Sequence, residues 1–194
     1  MILEGIVTTL NADRSPNISP MGPEVDTPLT RFVLKPYKTS RTYQNLKRGG
    51  EGVFHVTDDV ELIARAAINR FDELPATFPA TAVDGFVLAD SCRWYAFRVA
   101  NLNDREDRTR IECEVIDEGR IRDFFGFNRA KHAVLEAAIL ATRTRFLSQS
   151  AVSEELARLQ VIVKKTAGEQ ERRAFGMLVD HVERAYARAL GIDE

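Results

Sequence analysis

The chain has 194 residues, 44% hydrophobic and 29% charged, with a formal net charge of -2. It is therefore ordinary globular material, long enough to bury a core as one domain or one domain with a small appendage. The near-neutral balance excludes a global field for nucleic acid or anionic membranes, and no apolar run is long enough to span a bilayer.

The N-terminal stretch "MILEGIVTTLNADRS" has no basic region followed by an apolar run and a small-residue cleavage site, so a soluble, cytoplasmic protein is the expectation. The first half reads as β. "EGIVTTL" is β-branched, "NADRSPN" is a turn through Asn11, Asp13 and Ser15, and "NISPMG" resumes an extended course. Pro16 and Pro20 lack backbone donors, which suits an edge strand or a bulge.

"TRFVL" is the next strand, and "KPYKTSRTYQNL" leads from it into a short helix. This stretch sets Lys35, Lys38 and Arg41 among Thr39, Ser40, Thr42 and Asn45. A helix start rich in hydroxyls offers backbone N–H groups, O–H donors and the positive end of the dipole, and the cations would add charge-assisted bonds to a phosphate. The same residues also fit a capped helix with its cations in water. "KRGGEG" reads as the C-cap and turn that end this helix.

"EGVFHVT" is a further strand, and Thr57 is the expected N-cap of "DDVELIARAAI". Residues 70–90, with two prolines and no clean period, read as a long loop. "CRWYAFRVANL" and "RTRIECEVID" are strands joined by a solvated turn, "NDREDR". Apolar residues on both faces of the first suggest a barrel on one side and a partner on the other.

Three helices are expected after Gly126. They are "NRAKHAVLEAAILATRTRFL", then "EELARLQVIVKKT" capped by Ser153, then a long amphipathic helix opened by Gly168.

His55, His132 and His181 share no metal-ligand spacing, so no metal is expected. Cys92 and Cys113 fit no CxxC motif and read as buried free thiols. No nucleophile elbow or phosphate-cradling glycine loop is present.

The order of these pieces resembles the FMN-binding split-barrel superfamily of flavin reductases and pyridoxamine-phosphate oxidase relatives. Over the whole chain it looks like the family called domain of unknown function 447. The resemblance implies an α+β fold, with a split β-barrel over residues 1–125 and a C-terminal helical appendage over 126–194. It implies that Asn17, Ser19, Pro20, Met21 and Gly22 run beside the isoalloxazine ring on a segment freed from regular pairing. Lys38, Thr39, Ser40, Thr42 and Asn45 would then grip the phosphate of FMN. Lys35, Tyr37 and His55 lie near this presumed site in sequence. A homodimeric FMN-dependent oxidoreductase meeting a small-molecule substrate or electron donor is the leading expectation. A non-catalytic flavin carrier and a structural dimer without cofactor stand as alternatives.

Overall fold

The computed structural model describes residues 1–189 and 191. The chain forms two compact units: Met1–Thr57 with Glu73–Phe124, and Asp58–Asp72 with the chain from Phe125 onward.

In the first unit, β1 (Gly5–Leu10), β2 (Pro16–Met21), β3 (Glu24–Val25), β4 (Arg31–Leu34), β5 (Glu51–Val56), β8 (Arg93–Asn103) and β9 (Arg110–Arg120) form one antiparallel sheet. Its order is β2-β1-β5-β8-β9-β4-β3. Register shifts at Ala96/Phe97 and Val99/Asn101 bend the long β8–β9 pair, as bulges do, and the sheet curls into the half-barrel of an α+β split barrel. Phe32 lies at its centre, edge-on to Phe54, Tyr95 and Phe97 at ring-centroid distances of 5.3, 5.8 and 6.3 Å. Val7, Leu34, Leu46 and Ile111 complete this core.

Between β4 and β5 lies α1 (Arg41–Gly49), which ends at Gly50 in the left-handed conformation, φ 68. Its buried residues Thr42, Tyr43, Asn45 and Leu46 recur at helical spacing and form the face turned inward.

The stretch read as a long loop contains a hairpin, β6 (Thr77–Pro79) with β7 (Phe86–Leu88). Short strands containing a proline give little sequence signal, and contacts with the larger sheet hold this one in place. Thr8 Oγ1 donates to the Phe86 carbonyl at 2.6 Å, and Arg98 Nη2 donates to the Ala82 carbonyl. Val83 and Val87 join Val53 and Ala96 in a second small core, with Trp94 packed against it. Thus the second apolar face of β8 is covered by the chain's own 74–90 segment and is no evidence of a partner. Trp94 lies so close over Gly119 that a Cβ there would sit 2.5 Å from the indole Nε1.

His55 fastens the same hairpin. Its Nδ1 pairs with the Ile6 carbonyl at 3.2 Å and its Nε2 accepts from the Leu88 N–H at 3.0 Å. The imidazole is fully buried, which leaves it no route to a ligand.

The second unit contains α2 (Val60–Ala67), α3 (Arg129–Ala141), α4 (Gln149–Thr166) and α5 (Glu169–Ala189). Its core joins Val60 and Ala64 to an alanine face of α3 (Ala133, Ala137, Ala138, Ala141), to Leu156 and Leu159, and to Phe175, Leu178 and Val182. Small side chains on α3 let its neighbours approach closely. Two helix starts differ from expectation. Asp59, not Thr57, caps α2, accepting from the Leu62 N–H at 2.9 Å. Ser148, not Ser153, caps α4. Lys131 spends its ammonium on Glu171 (2.8 Å), the Asp58 carbonyl (2.8 Å) and Gln170 (3.2 Å). Burial alone would raise the Glu171 carboxyl, but Lys131 and the Gly168 N–H hold it below its ordinary value.

Burial pushes the His55 imidazole down from 6.5 to about 3. Its folded value lies below its unfolded one, so the stability it confers is complete above about pH 6.5 and is lost as the pH falls. Unfolding free energy is therefore expected to drop by about 2 kcal/mol between pH 7 and pH 5 from this group alone. By NMR, the His55 ring signals should not titrate in the folded protein over that range; titration with an ordinary midpoint would contradict the buried staple.

Candidate functional site

The segments singled out in the sequence meet where β2 and α1 flank β1. Asn17 lies opposite Thr9 in the β1–β2 register. Its Nδ2 donates to Thr9 Oγ1 and to Thr42 Oγ1, both at 3.2 Å. Asn45 Nδ2 donates to Thr9 Oγ1 and to Asn11 Oδ1, both at 3.0 Å, and Asn45 Oδ1 accepts from Arg48 at 3.0 Å. Thr9, Thr42 and Asn45 are each at most 4% exposed. Buried polar groups of this kind must be satisfied, and here they satisfy one another.

Strand alternation puts Asn17, Ser19 and Met21 on one face of β2 and Ile18 and Pro20 on the other. Met21 packs against the aromatic core. Ser19 has only a marginal 3.5 Å bond to the Pro20 carbonyl. Gly22 follows the strand, and a Cβ on it would meet the Glu4 carboxylate at 2.7 Å. The strand is not freed from pairing, because Pro16–Met21 runs in register with β1. The turn bond from the Asn11 N–H to the Ser15 carbonyl, 2.9 Å, sets the phase of the ladder. Asn17, Ser19 and Met21 then exchange the ladder bonds, and Pro16 and Pro20 fall on the outer edge, where no donor is needed. That edge, the end of the sheet, offers the Ile18 N–H and the carbonyls of Pro16, Ile18 and Pro20.

At the start of α1, Ser40 is the N-cap and its Oγ accepts from the Tyr43 N–H at 3.2 Å. The Gln44 N–H bonds to the Ser40 carbonyl. Among the described residues the N–H groups of Arg41 and Thr42 have no protein acceptor, so they are the orphan donors of the helix end. No acidic residue occupies the first turn, Thr39 and Arg41 are exposed, and Lys38 is half-buried. The positive end of the helix is thus left to hydroxyls and cations, an arrangement that attracts an anion.

The turn between β8 and β9, expected to be merely solvated, clamps this entrance. Its Asp107 carbonyl accepts from the Lys38 N–H at 2.9 Å, and its Arg105 carbonyl accepts from Lys38 Nζ at 3.4 Å. Arg108 lies over the Tyr37 ring, and buried Thr109 donates to the Pro36 carbonyl at 2.7 Å. Asp104 accepts from the Tyr43 hydroxyl at 2.7 Å and from Lys47 at 2.8 Å. Lys47 first, and then the Tyr43 hydroxyl, hold the Asp104 carboxyl down to about 2. These side chains are on one helix face and one hairpin tip, and no spacing in the sequence links them.

The three residues near the site in sequence are otherwise occupied. Lys35 pairs with Glu24, Tyr37 lies under Arg108, and His55 is buried against backbone. Both cysteines are buried and neither is in a disulfide, with burial pushing the Cys113 thiol up to about 12. No helix among the described residues is long and apolar enough to cross a membrane.

Two family models match the chain: "Protein of unknown function (DUF447) N-terminal domain" over residues 3–122, and "Protein of unknown function (DUF447)" over residues 128–180. No curated protein matches the sequence. Among solved structures, the chain is similar to the FMN-bound protein MM1853 from Methanosarcina mazei, at 22% identity and TM-score 0.79 over 93% of this chain and 94% of that one. The flavoredoxin of Desulfovibrio vulgaris (Miyazaki F) matches at 14% identity and TM-score 0.53, over 61% of this chain and 69% of that one. The styrene monooxygenase flavin reductase from Pseudomonas putida S12 matches at 11% identity and TM-score 0.51, over 61% and 80%. These likenesses establish the fold.

The buried cluster has a stability consequence. Thr42→Ala removes one of the two acceptors of the Asn17 amide and is expected to cost about 1–2 kcal/mol. Ser40→Ala removes the cap and is expected to cost about 1 kcal/mol. Urea unfolding of both variants measures this; a Thr42→Ala protein as stable as the parent would show that the hydroxyl is not part of the fold.

Proposed function

The chain belongs to the DUF447 family, and on that premise we propose that it is a flavoprotein that binds FMN and acts as an oxidoreductase, working as a homodimer. The observation that carries the reading is the junction of β2 with the first turn of α1 through the Asn17–Thr42 bond. It sets an open strand edge beside a helix start that is positively charged and has unspent donors. A flavin mononucleotide needs both: a flat ring with a polar edge to be read by backbone groups, and a dianionic phosphate to be held by cations and N–H groups.

In this reading the phosphate is held by Lys38, Arg41, the hydroxyls of Thr39 and Ser40, and the backbone N–H groups of Arg41 and Thr42. The outer edge of β2, with Ser19, faces the ring. Thr42 and Asn45 act from beneath: their side chains are buried, and they shape the site without touching the ligand. Bound there, the flavin would supply the reversible uptake of electrons, and the chain supplies binding and orientation. The FMN named in the Methanosarcina mazei structure, together with the flavin reductase of similar fold, supports this reading. The homodimer is supported by Phe125 and Phe127 of the second unit, which are 81% and 96% exposed. That is an unusual amount of aromatic surface to leave in water.

The first test is the visible spectrum of the protein purified without added cofactor. Flavin bands and release of FMN on denaturation are expected; a colourless protein that takes up no added FMN would overturn the reading. Lys38→Ala combined with Arg41→Ala should weaken FMN binding at least about tenfold, the loss of one or two charge-assisted bonds, without changing the unfolding midpoint of the flavin-free protein. Reduction of the bound flavin by NADH or NADPH at a saturable rate is expected of an oxidoreductase, and a flavin that no nicotinamide reduces would point to a carrier. Sedimentation should give twice the mass of the chain; a monomer that holds flavin would remove the dimer and keep the cofactor.

A further inference from the structure

We propose that Thr9 is a positioning residue that makes the site select the phosphorylated flavin over the unphosphorylated one. This rests on the flavin reading above and adds to it a residue that touches no ligand. Thr9 Oγ1 is buried within the first unit and is the common acceptor of two amides, Asn17 Nδ2 from the strand segment and Asn45 Nδ2 from the helix segment.

The direction of the Asn45 amide is fixed by its neighbours. Its oxygen accepts from the Arg48 guanidinium, a group that only donates. Both of its N–H bonds are therefore spent, one on Asn11 and one on Thr9. The Asn17 amide spends its donors on Thr9 and Thr42. One hydroxyl thus ties β2 to α1 by two routes, through Asn17 and through Asn45.

FMN engages both segments at once, whereas riboflavin, lacking the phosphate, engages the strand segment only. When two half-sites are held rigidly at the separation a ligand spans, engaging the second is effectively intramolecular. When they are loose, binding must also order them. Loosening the tie therefore penalises the ligand that spans both segments and spares the one that does not.

The experiment is titration of flavin-stripped protein with FMN and with riboflavin, followed by quenching of flavin fluorescence. Thr9→Val keeps the shape and deletes the acceptor; Thr9→Ser restores it. Thr9→Val is expected to lower FMN affinity about tenfold, equivalent to about 1.4 kcal/mol, and to leave riboflavin affinity within a factor of about two. Thr9→Ser is expected to recover FMN binding. Should Thr9→Val fail to fold, Thr9→Cys makes the same comparison with a thiol, a poor acceptor of similar size. Equal losses for both flavins would make Thr9 merely structural and overturn the inference, as would no loss for either. A parent protein that binds neither flavin overturns the cofactor reading itself, an outcome that the parent titration separates from the others.

Discussion

Two adjacent hydroxyls on β1 are buried on opposite faces of the strand, and each must find partners there. Thr8 and Thr9 are almost inaccessible, and the alternation of a β-strand sends them to opposite sides of the sheet. An unsatisfied buried hydroxyl costs about 1–3 kcal/mol, so whatever covers each face must bring a matching polar group. On one side this is the Phe86 carbonyl of the β6–β7 hairpin, which Thr8 meets and which His55 secures one strand over. On the other side are the amides of Asn17 and Asn45. The hairpin and the candidate site are thus the two answers to one constraint on a single strand.

The same accounting explains which groups at the site remain available. Polar side chains beneath the junction are spent on one another, so they define the geometry and offer little to a ligand. The groups left over are those the local backbone cannot satisfy: the first N–H groups of α1 and the outer edge of β2. No acidic residue belongs to the first turn of α1, and the carboxylates whose fields reach its cations are engaged by other groups: Asp104, near Lys38, by Lys47 and Tyr43, and Asp13, near Arg41, by Ser15. An anion approaching α1 therefore meets no competing carboxylate in its first turn.

Much of this was legible in the sequence where local pattern decides. The main strands, α1 with its Gly50 cap, and α5 follow from alternation, helical spacing and cap residues. The two segments that meet at the β2–α1 junction could be named through a family resemblance, because both carry short motifs. The sequence reading failed where tertiary contacts decide. The β6–β7 hairpin has three-residue strands with a proline and depends on Thr8 and His55 from elsewhere in the chain. Thr57 is a good cap by type, but Asp59, hydrogen-bonded also to Gln170, takes the position. The "NDREDR" turn looked like solvated charge because nothing in its spacing shows that Asp104 reaches Tyr43. Thr9 is the hardest case. In "IVTTL" it is one more β-branched residue, and its role exists only because Asn17 and Asn45, 8 and 36 positions away, arrive at the same oxygen.

A polar cluster here also does something that apolar packing would not. β2 is an edge strand paired on one side only: its prolines resist an odd slip, which would aim a residue without an N–H at β1, but the ladder itself does not resist an even one. A slip of one residue would turn Ile18 towards α1 and expose the polar face. A slip of two would preserve the faces and pass unnoticed by a purely apolar contact. It would, however, put Ser19 opposite Thr9, and a serine side chain is too short to reach the helix. Only the register with Asn17 opposite Thr9 closes both amide bonds. The turn bond between Asn11 and Ser15 and the cluster around Thr9 therefore specify the same alignment independently. That alignment decides which backbone groups stand on the open edge next to the helix start.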